Sequence, residues 1–186
     1  MSATRLHLLT ERLSSLFRAD MRHVASEHGL KLVQLEALVF LSMANRYSDT
    51  PVSLTEYFGL TKGTVSQTLK VLERDGLIEK HADARDGRVQ HCAVTQLGAT
   101  IVAEAFPAPM LSGAPTREDA TLADALQMLL ARLQQRNGLR TFGLCRSCRL
   151  FQTKGSGGVC GLTQESLTAL DTRKICREHE ATQGGC

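Results

Sequence analysis

The chain has 186 residues, and its 22 Lys and Arg side chains against 19 Asp and Glu give a formal net charge of +3. This length predicts one ordinary domain with an additional segment, and the lack of any apolar run of ~18 residues argues against a membrane-spanning helix. The first residues do not have the basic-then-apolar pattern of a secretion signal, so we expect a cytoplasmic protein whose six cysteines stay reduced.

Two helices are predicted before residue 45. Apolar residues recur mostly at spacings of three and four from Thr4 to His28, which predicts a long amphipathic helix ended by Gly29. Residues 32–44 predict a second helix, which a polar turn follows, and Val52 is expected in a small strand. The first helix is long enough to pack either on its own domain or on a partner subunit.

Residues 53–76 predict two short helices joined by a tight turn. Ser53 and Glu56 have the spacing of a capping box for the first of them, and Gly59 ends it as a left-handed glycine. The second helix has an apolar stripe on one side and hydroxyl, amide and cationic side chains on the other. Such polar side chains reach base edges and phosphates in a DNA major groove. The residues predicted to face DNA are Thr61, Lys62, Thr64, Ser66, Gln67 and Lys70.

Residues 77–95 predict a β-hairpin after the second helix. Two short strands, at about residues 77–81 and 89–94, flank a charged turn. A helix-turn-helix followed by such a hairpin is a winged helix. Arg85 and Arg88 near the tip of this wing are suited to a narrow minor groove, where the negative potential is high.

The region after the wing predicts two more helices. Residues 98–106 form a short one that prolines interrupt, and residues 116–119 carry a capping signal for a leucine-rich helix ending near Gly138. We therefore predict a winged-helix DNA-binding and dimerisation domain at 1–138 and a cysteine-rich extension at 139–186. The chain contains no recognisable nucleophile–base set, phosphate loop or paired carboxylates, so we do not expect an enzyme.

Four segments of this region resemble the MarR-type transcriptional regulators. They are residues 60–66 (LTKGTVS), 72–78 (LERDGLI), 83–88 (DARDGR) and 94–98 (VTQLG). The resemblance covers about residues 6–133. It implies a mainly α fold with a small β wing, and a homodimer held together by the terminal helices of both subunits. It also implies a palindromic double-stranded DNA operator, with residues 61–70 in the major groove and Arg85 at the wing tip, and a cleft for a small-molecule effector.

The extension carries four cysteines outside this resemblance, spaced Cys145-x2-Cys148-x11-Cys160-x15-Cys176. A Cys-x-x-Cys pair can place two sulfurs on one metal or cluster, and the later pair can supply the remaining ligands. A segment of about fifty residues with so few apolar side chains usually needs a covalent or metal staple. We therefore predict a metal-binding or cluster-binding extension.

The spacing leaves two kinds of centre open. Four cysteine ligands suit both tetrahedral zinc and iron–sulfur clusters. The wide separation of Cys160 from Cys176 favours a cluster, because zinc ribbons commonly pair two Cys-x-x-Cys knuckles. His179 keeps a zinc site of three cysteines and one histidine as the alternative.

These observations predict a dimeric, sequence-specific DNA-binding regulator. Its operator affinity would depend on the cysteine-ligated centre, with redox state, iron or nitric oxide as the signal. Because the extension follows the presumed dimer helix, a change there is expected to alter the spacing of two recognition helices that must match half-sites ~34 Å apart. The alternatives are a regulator with a structural zinc site and small-ligand control, or a thiol or electron-transfer protein that uses its winged helix for protein contacts.

Overall fold

The computed structural model describes residues 2–84, 86–113 and 116–181. The chain divides into two units, and neither is continuous in sequence. The first comprises Met1–Ser42 and Thr61–Gly113, and the second comprises Met43–Leu60 and Ala114–Cys186. This division differs from the predicted boundary between residues 138 and 139, because residues 43–60 and 116–138 group with the C-terminal extension.

Three helices flank the winged-helix elements in sequence: two precede these elements and one follows them. Helix α1 spans Ala3–Glu27 and is capped by Ser2, α2 spans Leu32–Met43, and α5 spans Gln96–Ala105 after its cap Thr95. The bounds of each agree with the sequence-based prediction to within two residues.

The elements of the winged helix follow one another in the predicted order. Helix α3 spans Pro51–Phe58, α4 spans Lys62–Arg74, and strands β1 and β2 span Ile78–Ala82 and Gln90–Val94. Thr61 caps α4, because its hydroxyl oxygen accepts a hydrogen bond from the Thr64 amide at 3.1 Å. The two strands pair antiparallel and form the wing.

Helix α3 begins earlier than the sequence indicated. Its N-cap is Thr50, whose hydroxyl oxygen accepts from the Ser53 amide at 3.3 Å. Pro51 takes the first helical position, where its fixed φ suits the helix and its missing N–H is not needed. Ser53 therefore lies inside the helix, and the predicted capping box between Ser53 and Glu56 is wrong. The strand predicted at Val52 is also wrong, because this residue is helical.

The core of the first unit is mainly aliphatic. Its most deeply buried side chains, each less than 2% exposed, come from α2, α4 and the wing: Leu35, Leu38, Leu69, Leu72, Ile78 and Cys92. Helix α1 contributes only Val24 and Ala25 to the buried set. In its N-terminal half, Leu8, Leu9 and Leu13 stay exposed.

In the second unit, helix α6 spans Arg117–Arg136 and begins with the predicted capping signal. The Thr116 hydroxyl accepts from the Asp119 amide, and the Asp119 carboxylate accepts from the Thr116 amide. No residue of this helix is buried within the chain. Its exposed apolar side chains are Leu122, Leu126, Met128, Leu130 and Leu133. Among the described residues, no helix is both long and apolar enough to cross a membrane.

The C-terminal module, residues 139–181, contains a three-stranded antiparallel sheet that the sequence did not predict. Its strands are β3 (Phe151–Lys154), β4 (Gly157–Cys160) and β5 (Ser166–Leu167), with β4 in the centre. Beside them, Ala44 pairs in parallel with Ile175 through an isolated bridge. This pairing is one reason why residues 43–60 belong to the same unit as the module.

Candidate DNA interface and cysteine site

Helix α4 presents the polar side that the sequence predicted. The six candidate residues, Thr61, Lys62, Thr64, Ser66, Gln67 and Lys70, are all exposed. The buried side carries Val65, Leu69 and Leu72, and it also includes Thr68, which sequence reasoning had not placed. The exposed side therefore combines hydrogen-bonding groups with two ammonium groups on one regular helix, which is the composition that contacts bases and phosphates.

The cations of α4 differ in their local partners. Within the described part of the chain, the ammonium groups of Lys62 and Lys70 form no ion pair. Arg74 instead pairs with Asp75, with 2.8 Å between Arg74 Nε and Asp75 Oδ1. Lys62 and Lys70 are consequently the two cations of this helix that can meet phosphates without first breaking an internal pair.

In the described part of the wing tip, Arg88 is paired with the carboxylate of Asp86. Asp86 accepts from Arg88 at two points, with distances of 3.0 Å to Nε and 3.2 Å to Nη2, and Arg88 lowers the pKa of Asp86 through these hydrogen bonds. The Arg88 side chain is 92% exposed, and surface pairs of this kind contribute little to stability because water screens them. Exchange of Asp86 for a DNA phosphate therefore costs little. Arg85, the other predicted wing residue, lies outside the described residues.

Two histidines that the sequence analysis did not single out face each other across the wing. His81 and His91 are register partners whose rings stack with centroids 5.7 Å apart. His91 Nε2 also lies 3.2 Å from an Asp83 carboxylate oxygen. The only sequence signal was their symmetric placement about the turn, which predicts cross-strand neighbours once the hairpin register is known.

The four cysteines of the C-terminal module line a single cavity of about 80 Å³. Cys145 and Cys148 lie at the start and just after the end of a short 3-10 turn, Cys160 ends β4, and Cys176 follows in the C-terminal loop. Cys145 and Cys176 are buried, whereas Cys148 and Cys160 are partly exposed. The other side chains of the lining are Asn45, Tyr47, Leu150, Phe151, Leu162, Thr163, Leu167 and Glu178.

Hydrogen-bond donors point at three of these sulfur atoms. The Asn45 side-chain amide donates to Cys145 Sγ at 3.2 Å, and the Glu180 backbone amide donates to Cys148 Sγ at 3.5 Å. A backbone N–H of Glu178 contacts the Cys176 sulfur. Donors of this kind stabilise sulfur in its thiolate form and tune bound clusters. Asn45 was predicted only as part of a polar turn, because nothing in its local sequence indicates a contact 100 residues away.

The two buried cysteines form a hydrogen-bonded pair. The Cys145 thiol bonds to Cys176, and this interaction lowers the pKa of Cys176. The same hydrogen bond and burial raise the pKa of Cys145. One sulfur of the pair is therefore ready to act as a thiolate, which is the form that ligates metals. The five described cysteines are all free of disulfides.

His179, the alternative zinc ligand, is engaged elsewhere. Its ring is 8% exposed and does not line the cavity. Nδ1 lies 2.6 Å from the Thr141 hydroxyl, and Nε2 lies 3.1 Å from the Ser147 hydroxyl. Burial lowers the pKa of His179, which favours a neutral ring held by these two hydroxyls. Among the described residues, no three His, Cys, Asp or Glu side chains form a group that would hold a single metal ion.

Comparison with known proteins identifies the winged-helix part. Residues 28–89 match the model of the MarR family. The fold is also similar to that of the transcriptional regulator PA3341, with a TM-score of 0.58 and 29% identity over 70% of this chain and 98% of that one. Residues 28–89 therefore belong to the MarR family.

Two other proteins show the range of the similarity. The regulator PetP from Rhodobacter capsulatus is 28% identical over 88 residues, which cover 47% of this chain and 52% of PetP. The match thus spans about half the length of that relative. CouR from Rhodococcus jostii, solved with p-coumaroyl-CoA, has a TM-score of 0.53 at 19% identity over 67% of this chain and 90% of CouR. At this identity the likeness concerns the fold alone.

The match of residues 28–89 to the MarR family and the similarity to PA3341 confirm the predicted mainly helical fold with a small wing and, for this region, the predicted role in transcriptional regulation. MarR regulators act by binding DNA rather than by catalysis, so the expectation that the chain is not an enzyme is also confirmed. The cysteine cavity lies outside residues 28–89. The MarR family therefore does not explain the four cysteines.

Proposed function

We propose that this MarR-family protein is a dimeric, cytoplasmic regulator of a palindromic operator, and that an iron–sulfur centre in the cysteine cavity sets its DNA affinity. The observation that carries this proposal is the convergence of Cys145, Cys148, Cys160 and Cys176 on one cavity. Cys176 lies 31 residues after Cys145, and the four cysteines come from three separate pieces of local structure. Packing of the module alone does not require all four to meet at one cavity.

The exposed side of α4 supports the DNA-binding part. Gln67 has an amide that can bond the edge of an adenine, and Lys70 has a flexible cation suited to phosphate. Arg88 extends the same chemistry to the wing. Binding is expected to weaken steeply as salt rises, because phosphate contacts release counterions.

Exposed apolar stripes support the dimer. Helix α1 leaves Leu8 62% exposed and Leu9 52% exposed, and α6 leaves Leu122 53% exposed. Contiguous apolar surface of this kind is unusual on a monomer and typical of an interface. A homodimer that buries these stripes would display two copies of α4, as a palindromic operator requires.

The size and chemistry of the cavity support a cluster over a single zinc ion. A water molecule needs about 10–15 Å³ of comparable volume, whereas this cavity offers about 80 Å³. Its walls supply sulfur ligands, N–H donors to those sulfurs and apolar side chains that exclude water. These are the features with which proteins hold iron–sulfur clusters and adjust their potentials.

The first experiment identifies the centre. Protein purified without oxygen is examined by visible absorption and analysed for iron, sulfide and zinc. We expect a coloured sample with iron and sulfide, and loss of both in a Cys145→Ser, Cys148→Ser double variant but not in Cys92→Ala, which alters a cysteine of the first unit. A colourless sample with about one zinc per chain would overturn the iron–sulfur centre. The search for a signal would then move to small-molecule effectors.

The second experiment concerns DNA. A site is selected from random duplexes, and affinities are measured by fluorescence anisotropy over a salt series. Lys70→Ala should weaken all duplexes alike and reduce the salt slope, whereas Gln67→Ala should cost ~1–3 kcal/mol on the selected site only. Equal loss on random DNA would remove Gln67 from the base-reading residues, and affinity without salt dependence would overturn the proposed interface.

A further inference from the structure

The turn between α2 and α3 is hydrogen-bonded to the strand-like segment that carries Cys176. The Ile175 amide donates to the Met43 carbonyl at 2.8 Å, and the Asn45 amide donates to the Ile175 carbonyl at 2.9 Å. Two residues after Ile175, the Arg177 amide donates to the Ser48 hydroxyl at 2.8 Å. Hydrogen bonds thus connect the residues that lead into α3 to the two residues on either side of Cys176.

One side chain of this turn reaches the sulfur atoms themselves. Asn45 is 1% exposed and donates to Cys145 Sγ at 3.2 Å. It also hydrogen-bonds Cys176. Its carbonyl oxygen accepts from the Tyr47 amide at 3.1 Å, so the same side chain holds the turn in shape. Any change in the position of either sulfur therefore acts directly on the turn.

A network of charged side chains continues from the cavity to α3. Glu178, which lines the cavity, accepts from Arg177 Nη1 at 2.6 Å and from Arg140 Nη1 at 2.8 Å. Both arginines also bind Glu56 of α3, and Arg177 does so through two parallel bonds of 2.7 and 2.8 Å. Two-point arginine–carboxylate pairs are both stronger and more directional than single contacts.

The Glu56 carboxylate is positioned by this network. Hydrogen bonds from Arg177 lower the pKa of Glu56, so its carboxylate is ionised at neutral pH. The side chains of Glu56 and Arg177 are 33% and 21% exposed, so water screens the pair less than a fully exposed one. Helix α3, in turn, is connected to α4 by only Gly59, Leu60 and Thr61.

We propose that the cysteine centre controls DNA binding through α3, with Asn45 and the Glu56–Arg177 pair as the links between the two. This inference rests on the proposed function, since it needs both a centre in the cavity and a DNA-bound α4. Without the centre, Cys145 and Cys176 bond to each other and to Asn45. When the centre is bound, both sulfurs ligate it as thiolates. The S–H···S bond between them is then lost, and the hydrogen bonds between Asn45 and the two sulfurs change.

This route differs from the one that sequence alone suggested, which passed through the dimer helix. A ligand shifts a conformational equilibrium only as far as it contacts the two states differently. Here the contacts that differ between the loaded and the cluster-free protein involve the turn before α3, which is the first helix of the helix-turn-helix. The expected result is a change in operator affinity even where the dimer interface is untouched.

The test compares operator affinity of the cluster-loaded and cluster-free protein, in wild type and in Glu56→Gln. The substitution keeps the size of the side chain but removes the charge that Arg177 binds. Allosteric coupling typically amounts to roughly a 5- to 150-fold change in affinity. We expect a ratio of this order for wild type and its loss in Glu56→Gln, with iron content and visible spectrum unchanged. Arg177→Lys, which keeps the cation but not the two-point geometry, should give the same loss.

The matched control is Glu180→Gln. Glu180 pairs with Arg149 in the same module, with 2.5 Å between Arg149 Nε and Glu180 Oε2, but this pair does not reach α3. The Glu180→Gln variant should retain the wild-type ratio between the operator affinities of the loaded and the cluster-free protein. If the Glu56 and Arg177 variants also retain it, the proposed route is wrong although the centre still regulates. If the wild type itself shows no difference between loaded and cluster-free protein, the proposed function fails instead.

Discussion

Gly98 is the residue at which helix α5 lies closest to the start of the wing. A Cβ atom at this position would lie 2.3 Å from the Leu77 carbonyl oxygen and 2.9 Å from Val94 Cγ1. We expect Gly98→Ala to destabilise the first unit by about 1–3 kcal/mol, because overpacking forces neighbouring atoms to move. Urea unfolding followed by circular dichroism measures this as a lower midpoint.

Gly63 provides the comparison for that substitution. It is also helical, but a Cβ there would meet nothing closer than 3.8 Å. Gly63→Ala should leave the free energy of unfolding unchanged or raise it by up to about 1 kcal/mol, since alanine favours a helix more than glycine does. If Gly98→Ala behaves like Gly63→Ala, the close approach of α5 to the wing does not exist as described.

At the scale of single residues, the sequence predicted local roles well and distant ones poorly. Thr61 as a cap follows from its position next to the helix it starts, and the exposed side of α4 follows from helical periodicity. Glu56 has the spacing of a local cap, yet its carboxylate binds an arginine 121 residues away. Nothing in the neighbourhood of either residue encodes this pairing, because only the folded chain brings the two together.

At the scale of elements, α6 depends on a single reciprocal cap. The Asp119 carboxylate accepts from the Thr116 amide and from the Thr116 hydroxyl, both at 2.8 Å. The backbone hydrogen bond, followed by the side-chain one, lowers the pKa of Asp119 below its ordinary value of 3.8. The ionised group therefore stabilises the helix above that value, and this contribution is lost as pH falls through the lowered pKa.

Asp119→Asn should accordingly destabilise α6 at pH 7, and its difference from wild type should shrink as the pH falls below about 3.8. Hydrogen exchange of the α6 amides, measured from pH 7 downward and corrected for the intrinsic rate, detects both effects. Asp124→Asn in the middle of the same helix is the control, because Asp124 is not part of the capping box. A constant difference between Asp119→Asn and wild type at all pH values would contradict the role of the carboxylate charge.

Helices and strands differ in how clearly their sequence patterns predict them. Long amphipathic helices such as α1 repeat their pattern over many turns, and α6 adds a cap to that pattern. Helix α3 is short, and Thr50 followed by Pro51 is the better start because proline at the first helical position loses no hydrogen bond. Strands β3 to β5 have two to four residues each, too few for an alternating pattern to be recognised.

At the scale of the whole molecule, the proposed iron–sulfur centre should stabilise more of the chain than the C-terminal module alone. Removal of the centre by a strong iron chelator without oxygen should increase hydrogen exchange in residues 141–181 and also in residues 43–58. Ligand binding stabilises whatever structure is needed to hold the ligand, and Asn45 belongs to that structure. Exchange followed by mass spectrometry resolves these segments.

Helix α5 is the internal reference for this measurement, and it should exchange at the same rate before and after chelation. The Cys145→Ser, Cys148→Ser variant should show the faster exchange without any chelator. If residues 43–58 remain as protected as before while residues 141–181 loosen, the turn before α3 does not depend on the centre.

The same arrangement also dictates an order of events during synthesis. Asn45 leaves the ribosome 100 residues before Cys145, its partner, and a ribosome that adds about 5–20 residues per second needs roughly 5–20 s for that interval. During this time the turn before α3 has no strand to pair with, and Glu56 has no arginine from the C-terminal module. The turn before α3 and the Glu56 side chain, although they are translated in the first half of the chain, thus acquire these contacts only after the C-terminal module has been made.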